Sequence, residues 1–325
     1  MIHCGGNEFI VVDSFLNPAT GNPVALDYIQ AMGFSATAIK RIVLTHWHQD
    51  HTQGIHQLLI QADSNSKLVI SPIIQKEKFQ KYISLGIKGG IESTNEFAKV
   101  MNFIFENKNR VKLASQGDRF FAREAPNKIE AFALSPQDKD LIDYIESILL
   151  PDEKDSKYIF PQDNNLSIVI LIKFDGTGIL LGSDLENKSS EECGWKAILT
   201  SYDHDATKSS IYKIPHHGSI NAHNDDVWDK LLIERPCSVV SVFNKTTKLP
   251  TENDISRIIG KSGSLFVVGK APKRDKEFQQ ILSKHHKTNI IAEAISTEIG
   301  MVRYRCPILG GKWSVEQFGA VRSNF

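Results

Sequence analysis

Residues Thr45 to Gly54 read T-H-W-H-Q-D-H-T-Q-G and follow the apolar run Ile42-Val43-Leu44. An extended segment projects residues i and i+2 to one side, so His46 and His48 are predicted to grip one cation between their imidazole nitrogens. Asp50 and His51 come one step later, where the chain turns toward the stretch Thr52 to Gln61. They suit a second cation, since two-metal hydrolases hold their ions roughly 3.5 to 4 Å apart. A surface histidine cluster is the plainer reading, but such a cluster has no reason to follow an apolar strand and precede a helix-like segment.

The spacing His46-x-His48-x-Asp50-His51 resembles the signature of the metallo-β-lactamase fold superfamily, and later segments fit the same resemblance. In that fold an aspartate follows a strand, and Ile179-Leu180-Leu181-Gly182-Ser183-Asp184-Leu185-Glu186 has that form. The resemblance makes Asp184 the carboxylate that bridges two metals, one oxygen to each. The last ligand it implies is a histidine after another strand, matching Ile211-Tyr212-Lys213-Ile214-Pro215-His216-His217-Gly218-Ser219. Pro-x-His-Gly aligns best on His217, which leaves His216 and Ser219 beside the metals or facing substrate. The opposite assignment of the two histidines stays open at this stage.

One expected ligand is missing. Better-known members carry a further histidine for the first metal, yet residues 57 to 203 contain none. At the matching place stands Asp163-Asn164-Asn165-Leu166-Ser167-Ile168-Val169-Ile170, where Asn165 and Ser167 form Asn-x-Ser before a strand. This is similar to one branch of the superfamily, the hydrolase domains of bacterial DNA-uptake channel proteins and their stand-alone relatives, which also end in Pro-His-His-Gly-Ser. The first metal is then expected to have His46, His48 and Asp184 plus oxygens from water or substrate. Fewer nitrogen and more oxygen ligands make a harder site, so the two divalent cations are expected to be zinc or manganese.

The function implied is metal-dependent hydrolysis by a metal-bound hydroxide, with Asp50 also orienting that hydroxide and passing on its proton. Relatives sharing Pro-His-His-Gly-Ser point to a phosphate-containing substrate, a phosphodiester in nucleic acid or a nucleotide, and so to a phosphodiesterase or nuclease. Two alternatives are a hydrolase of thioesters, lactones or other carboxylic esters, and a catalytically weak metal-binding module acting with a partner protein that the sequence does not identify. A serine hydrolase using Ser183 or Ser219 is a poor fit, because neither lies in a Gly-x-Ser-x-Gly elbow.

The rest of the chain agrees with an ordinary enzyme. It has 325 residues, 41% hydrophobic and 23% charged, with formal net charge zero, so no global field recruits nucleic acid. Two local imbalances exist: residues 138 to 155 hold seven acids against two bases, and residues 261 to 290 hold seven bases against two acids. The basic stretch, with Lys270, Lys273, Arg274, Lys276, Lys284 and Lys287, is either a phosphate track or a solvated helix face. The N-terminus lacks a signal-peptide pattern and no run reaches the ~18 apolar residues of a membrane span, so a cytoplasmic protein without membrane contact is expected. Four widely spaced cysteines, at 4, 193, 237 and 306, read as reduced thiols.

Strand and helix patterns alternate along the chain. Met1 to Cys4 and Glu8 to Val12 flank Gly5-Gly6-Asn7 as a hairpin. Helical spacing runs over Val24 to Met32, Ile73 to Leu85, Phe97 to Phe105 and Glu252 to Ile259. Strands are predicted at 41–45, 67–71, 111–114, 129–134, 168–174 and 179–181. Val239 to Phe243 and Ser264 to Val268 are expected as edge or terminal strands. Residue patterns alone give a mixed α/β fold; the resemblance implies the four-layer αβ/βα sandwich of the metallo-β-lactamase type. It covers residues 1–270 as a hydrolase domain, with 271–325 as a C-terminal extension packed on it.

Overall fold

The computed structural model describes residues 1–88, 92–124, 128–148, 164–174, 176–201, 207–244, 248–269, 299–306 and 313–324. The fold is α/β, as expected, and divides into two compact units: residues 1–121 with 132–168, and residues 122–131 with 169–325.

In the first unit, β1 (Ile2–His3) and β2 (Phe9–Val12) form the hairpin predicted around Gly5-Gly6-Asn7, with Ile2 opposite Ile10. Then come α1 (Val24–Ala31), β3 (Ile39–Leu44), α2 (Gln49–Thr52), α3 (Ile55–Gln61), β4 (Lys67–Ile70), α4 (Glu77–Lys88), α5 (Glu92–Glu106) and β5 (Val111–Leu113). The sheet order is β1-β2-β3-β4-β5, and β2 through β5 are mutually parallel. Parallel strands need crossover connections, which the helices between them supply. Central β3 reads as a continuous apolar run because Ile42, Val43 and Leu44 are all fully buried. Instead of one helix from Ile73, the chain makes a 3-10 turn at Pro72–Gln75 and restarts at Glu77. Proline lacks the N–H that a helix interior needs, so it sits in the turn's opening position.

After β5 come β6 (Arg119–Arg123), β7 (Ile129–Ala133) and α6 (Asp138–Ser147). Helix α6 opens where the Gln137 N–H donates to the Asp140 carboxylate at 3.2 Å, and it adds Leu141 and Tyr144 to the core. That core gathers Phe9, Leu26, Ile29, Leu58, Phe79, Phe97 and Val100 around Trp47.

The second unit is built on an eight-stranded sheet of order β15-β12-β11-β10-β9-β8-β7-β6. Its further elements are β8 (Ile170–Phe174), β9 (Thr177–Leu181), α7 (Gly194–Ser201), β10 (Ser209–Lys213), α8 (Asp225–Leu231), β11 (Leu232–Ser241), α9 (Glu252–Lys261), β12 (Ser264–Val268), β13 (Gly300–Arg305), β14 (Ser314–Gly319) and β15 (Val321–Asn324). Strands β8 and β9 are the antiparallel hairpin expected from the sequence, while β9, β10, β11 and β12 are parallel to their neighbours. β11 and β12 are interior strands, not the edge or terminal strands expected. β10 flanks β11, and β15, which begins over fifty residues after β12, pairs antiparallel beyond it. Local pattern shows that a strand is buried but not which distant segment lies beside it.

Candidate metal centre

In the first unit the chemistry lies at the C-terminal ends of β2 and β3, which pair with Val12 opposite Val43. Alternation at the end of β3 splits the motif. Trp47 turns into the core, its ring 4.9 Å from Phe79 and 5.4 Å from Tyr144, while His46 and His48 lie together with ring centroids 4.4 Å apart. One nitrogen of each lies within 4.8 Å of the other, close enough to share an ion. The His51 ring is 4.1 Å from that of His46, and Asp50, in the first turn of α2, has its Oδ2 3.7 Å from His51 Nε2.

Sequence reading missed Asp13, which organises this cluster. Its backbone is left-handed at φ 54, and its carboxylate accepts from Thr45 N (2.8 Å), Thr45 Oγ1 (2.8 Å) and His51 Nδ1 (2.7 Å). Thr45 Oγ1 spends its proton on Asp13, so it accepts from His46 Nδ1 at 3.0 Å. The network therefore protonates both rings at Nδ1 and puts their lone pairs on Nε2, the arrangement by which outer partners fix ligand histidines. The available signal was an aspartate ending the apolar strand Phe9–Val12.

Asn165 and Ser167 lie beside the same loop. The Ile168 N–H donates to Thr45 O at 3.0 Å and Ser135 Oγ to Ser167 O at 2.6 Å, which pins the Asn164–Leu166 3-10 turn against the loop that carries His46 and His48. Asn165 is buried, and the fully buried Ser167 Oγ has no hydrogen-bond partner among the described residues.

In the second unit the chemistry again lies at the ends of adjacent parallel strands, with Leu181 of β9 opposite Lys213 of β10. Gly182 lets the two loops touch: a Cβ there would lie 2.9 Å from Pro215 Cβ and 3.0 Å from Lys213 O. Asp184 is buried at 5% exposure. The His216 N–H donates to Ser183 O at 3.0 Å and ties the histidine loop to the aspartate loop. His216, His217 and Gly218 are consecutively left-handed, at φ 42, 53 and 82. That conformation costs a non-glycine residue roughly 1–2 kcal/mol, so the loop is strained and its surroundings hold it.

His217 Nδ1 donates to Ser241 at the end of β11, 3.1 Å from both its carbonyl and its Oγ, which puts the lone pair on Nε2. His216 Nδ1 pairs with Glu186 Oε1 at 2.9 Å. Burial opposes charge on His216, but the Glu186 hydrogen bond and the charges of Asp184 and Glu186 outweigh it and raise its pKa. Ser219 closes the loop, its N–H donating to His216 O at 3.0 Å. His223, unassigned by sequence, pairs with Asp225 at 3.2 Å. Burial, then the charge of Arg257, depresses its pKa. His204 and the basic residues from Lys270 to Lys287 lie outside the described residues.

The first unit thus presents the Nε2 lone pairs of His46 and His51 near the Asp50 carboxylate, and the second presents that of His217, donor types suited to borderline divalent ions. The family model of the Metallo-beta-lactamase superfamily matches residues 1–67. The match covers about a fifth of the chain. It contains Asp13 and the whole His46 to His51 cluster, and the α/β architecture is consistent with that fold.

No curated protein matches the chain. Similar solved structures include metallo-beta-lactamase SMB-1 bound to 2-mercaptoethanesulfonate, 14% identical over 66% of this chain and 73% of that one, at a TM-score of 0.35. Rm3 metallo-beta-lactamase is 13% identical over 72% and 68% respectively, at 0.32, and hydrolase AbOPH in the beta lactamase superfamily is 19% identical over 40% and 49%, at 0.26. Likenesses of this strength add nothing to the assignment. Among the described residues no helix is long and apolar enough to cross a membrane.

Proposed function

We propose that this chain is a metallo-β-lactamase-fold hydrolase that holds two divalent cations, zinc or manganese, and cleaves phosphodiesters in nucleic acid or nucleotides. One observation carries the reading. Three histidines predicted as ligands, His46, His51 and His217, each have Nδ1 engaged by a hydrogen-bond acceptor, so each offers Nε2 to a metal. Surface histidines have no need of such partners.

In this reading, as the resemblance implies, His46, His48 and Asp184 would hold the first cation, and Asp50, His51, Asp184 and His217 the second. Bound there, the ions would lower the pKa of water toward neutrality and polarise the oxygen of the bond under attack. Asp50, whose side chain is 34% exposed, takes the proton released as water adds. His216, whose Nδ1 is hydrogen-bonded to Glu186, is the group read as facing a phosphate and, when protonated, donating to the leaving oxygen. Asn165 and Ser167, where a further histidine would otherwise stand, either contact substrate or support the ligand loop, and their burial favours support. The phosphodiester class rests on the likeness of Asn165-x-Ser167 and Pro215 to Ser219 to the DNA-uptake branch.

Elemental analysis for bound metal, followed by assays of bis-p-nitrophenyl phosphate and single-stranded DNA with added zinc or manganese, tests the proposal. Asp50→Asn and Asp184→Asn are each expected to abolish hydrolysis in a folded chain; full activity in either would sink the assignment. Full metal occupancy with no turnover of any ester would favour a binding module. His216→Asn should keep metal stoichiometry while His217→Asn loses one ion; the reverse would exchange their roles.

A further inference from the structure

The strained loop Pro215 to Gly218 has a further support, from α9, that lies outside the ligand set. Arg257, on α9, donates from one nitrogen, Nη2, to Gly218 O at 2.7 Å and to Asp254 Oδ1 at 2.6 Å. Asp254 is buried at 5% exposure, and its other oxygen accepts from Thr251 N at 2.9 Å and Thr251 Oγ1 at 2.6 Å. Thr251 Oγ1 in turn accepts from Asp254 N at 3.2 Å, the reciprocal bonding that starts α9. The guanidinium is thus locked by a carboxylate that is itself locked by the helix start. It grips the carbonyl immediately after His217, where three residues in a row are left-handed. Packing completes the seat: a Cβ on Gly218 would come within 3.1 Å of Ile258 and 3.3 Å of Pro250 and Val240.

We infer that Arg257 is a positioning residue that holds His217 in its metal-binding orientation, with the start of α9 acting as an anchor for one ligand of the second cation. Ser241 fixes how the imidazole is turned; Arg257 fixes where the backbone that carries it stands. A lysine keeps the charge but carries its donors on a freely rotating ammonium at the end of an unbranched stem, so it is expected to restore the two contacts only in part. The inference rests on the reading of His217 as a ligand.

The full-length wild type, Arg257→Ala and Arg257→Lys are titrated with manganese and with zinc by calorimetry, alongside thermal unfolding of the metal-free proteins. Arg257→Ala is expected to weaken one of the two cations roughly 10- to 100-fold and leave the other as in wild type, as lost outer partners do. Arg257→Lys should recover part of that loss, and a cobalt(II) spectrum should change only in the weakened site. Unaltered binding of both ions by Arg257→Ala would overturn the inference, and so would a lower unfolding temperature with unaltered affinities, which marks a purely structural role. Should the alanine variant not fold, Arg257→Lys decides in the same way: weaker binding of one ion supports the inference, wild-type binding ends it. A wild type that binds no metal removes the ligand reading itself; normal wild-type binding with an unaffected variant removes only Arg257's part.

Discussion

The two units place comparable chemistry at the same structural position, the C-terminal ends of neighbouring parallel strands, but hold it by different means. In the first, side chains hold side chains: the Asp13 carboxylate serves Thr45 and His51, and Thr45 serves His46. In the second, main chain does the holding: the His216 N–H meets Ser183 O, His217 Nδ1 meets Ser241, and Arg257 grips Gly218 O around a left-handed turn. The first arrangement depends on acid–base partners and has one left-handed residue, Asp13. The second depends on backbone shape and is exposed to any change that alters φ.

Substitutions can break or sharpen that contrast. The largest effect is expected from Trp47→Ala, which empties a core position between His46 and His48 and should cost about 3–5 kcal/mol in urea unfolding. A cost below about 1 kcal/mol would mean that the first loop is not braced by the core. Next, Gly218→Ala meets both a φ of 82 and three close neighbours, and should lose about 2–4 kcal/mol. A neutral outcome would remove the claim that the second loop is held by its backbone.

Asp13→Ala should cost about 1–3 kcal/mol, from donors left without their acceptor, and weaken metal binding roughly 10- to 100-fold. If metal binding is untouched, the side-chain network does not orient the ligands. The smallest effect is away from both sites. Hydrogen bonds from Thr20, Asn22 and Asn17 hold the Asp27 carboxyl below its ordinary range. Because the folded pKa is the lower one, this contribution is complete above the unfolded carboxylate pKa and is lost as pH falls through the folded value. Amide exchange in the turn Asn17 to Asn22 should therefore quicken on acidification in wild type, and show no such dependence in Asp27→Asn.

Much of the candidate site was legible because its residues are contiguous. His46, His48, Asp50 and His51 lie within six positions, and the Asp184 and His217 segments each follow a readable strand. Asp13 was not, since a single aspartate after an apolar run has many ordinary uses and gains its meaning only from Thr45 and His51, over thirty residues away. Arg257 was hidden for the same reason: its partner Gly218 lies 39 residues earlier. Helix α6 was read only as an acidic stretch, although Leu141 and Tyr144 supply core contacts on its buried face.

The sequence by itself determined the α/β class, the hairpins, and the cluster of cation-suited donor types that follows β3. These follow from local rules: residue period, turn chemistry and the nitrogen and oxygen atoms available. Only the tertiary structure decided that β11 and β12 are interior, that Asp13 and Thr45 set the tautomers of His51 and His46, and that Ser241 and Arg257 secure the loop of His217. Hydrogen bonds between distant segments follow no sequence period; they exist because folding brings particular donors within about 3 Å of particular acceptors.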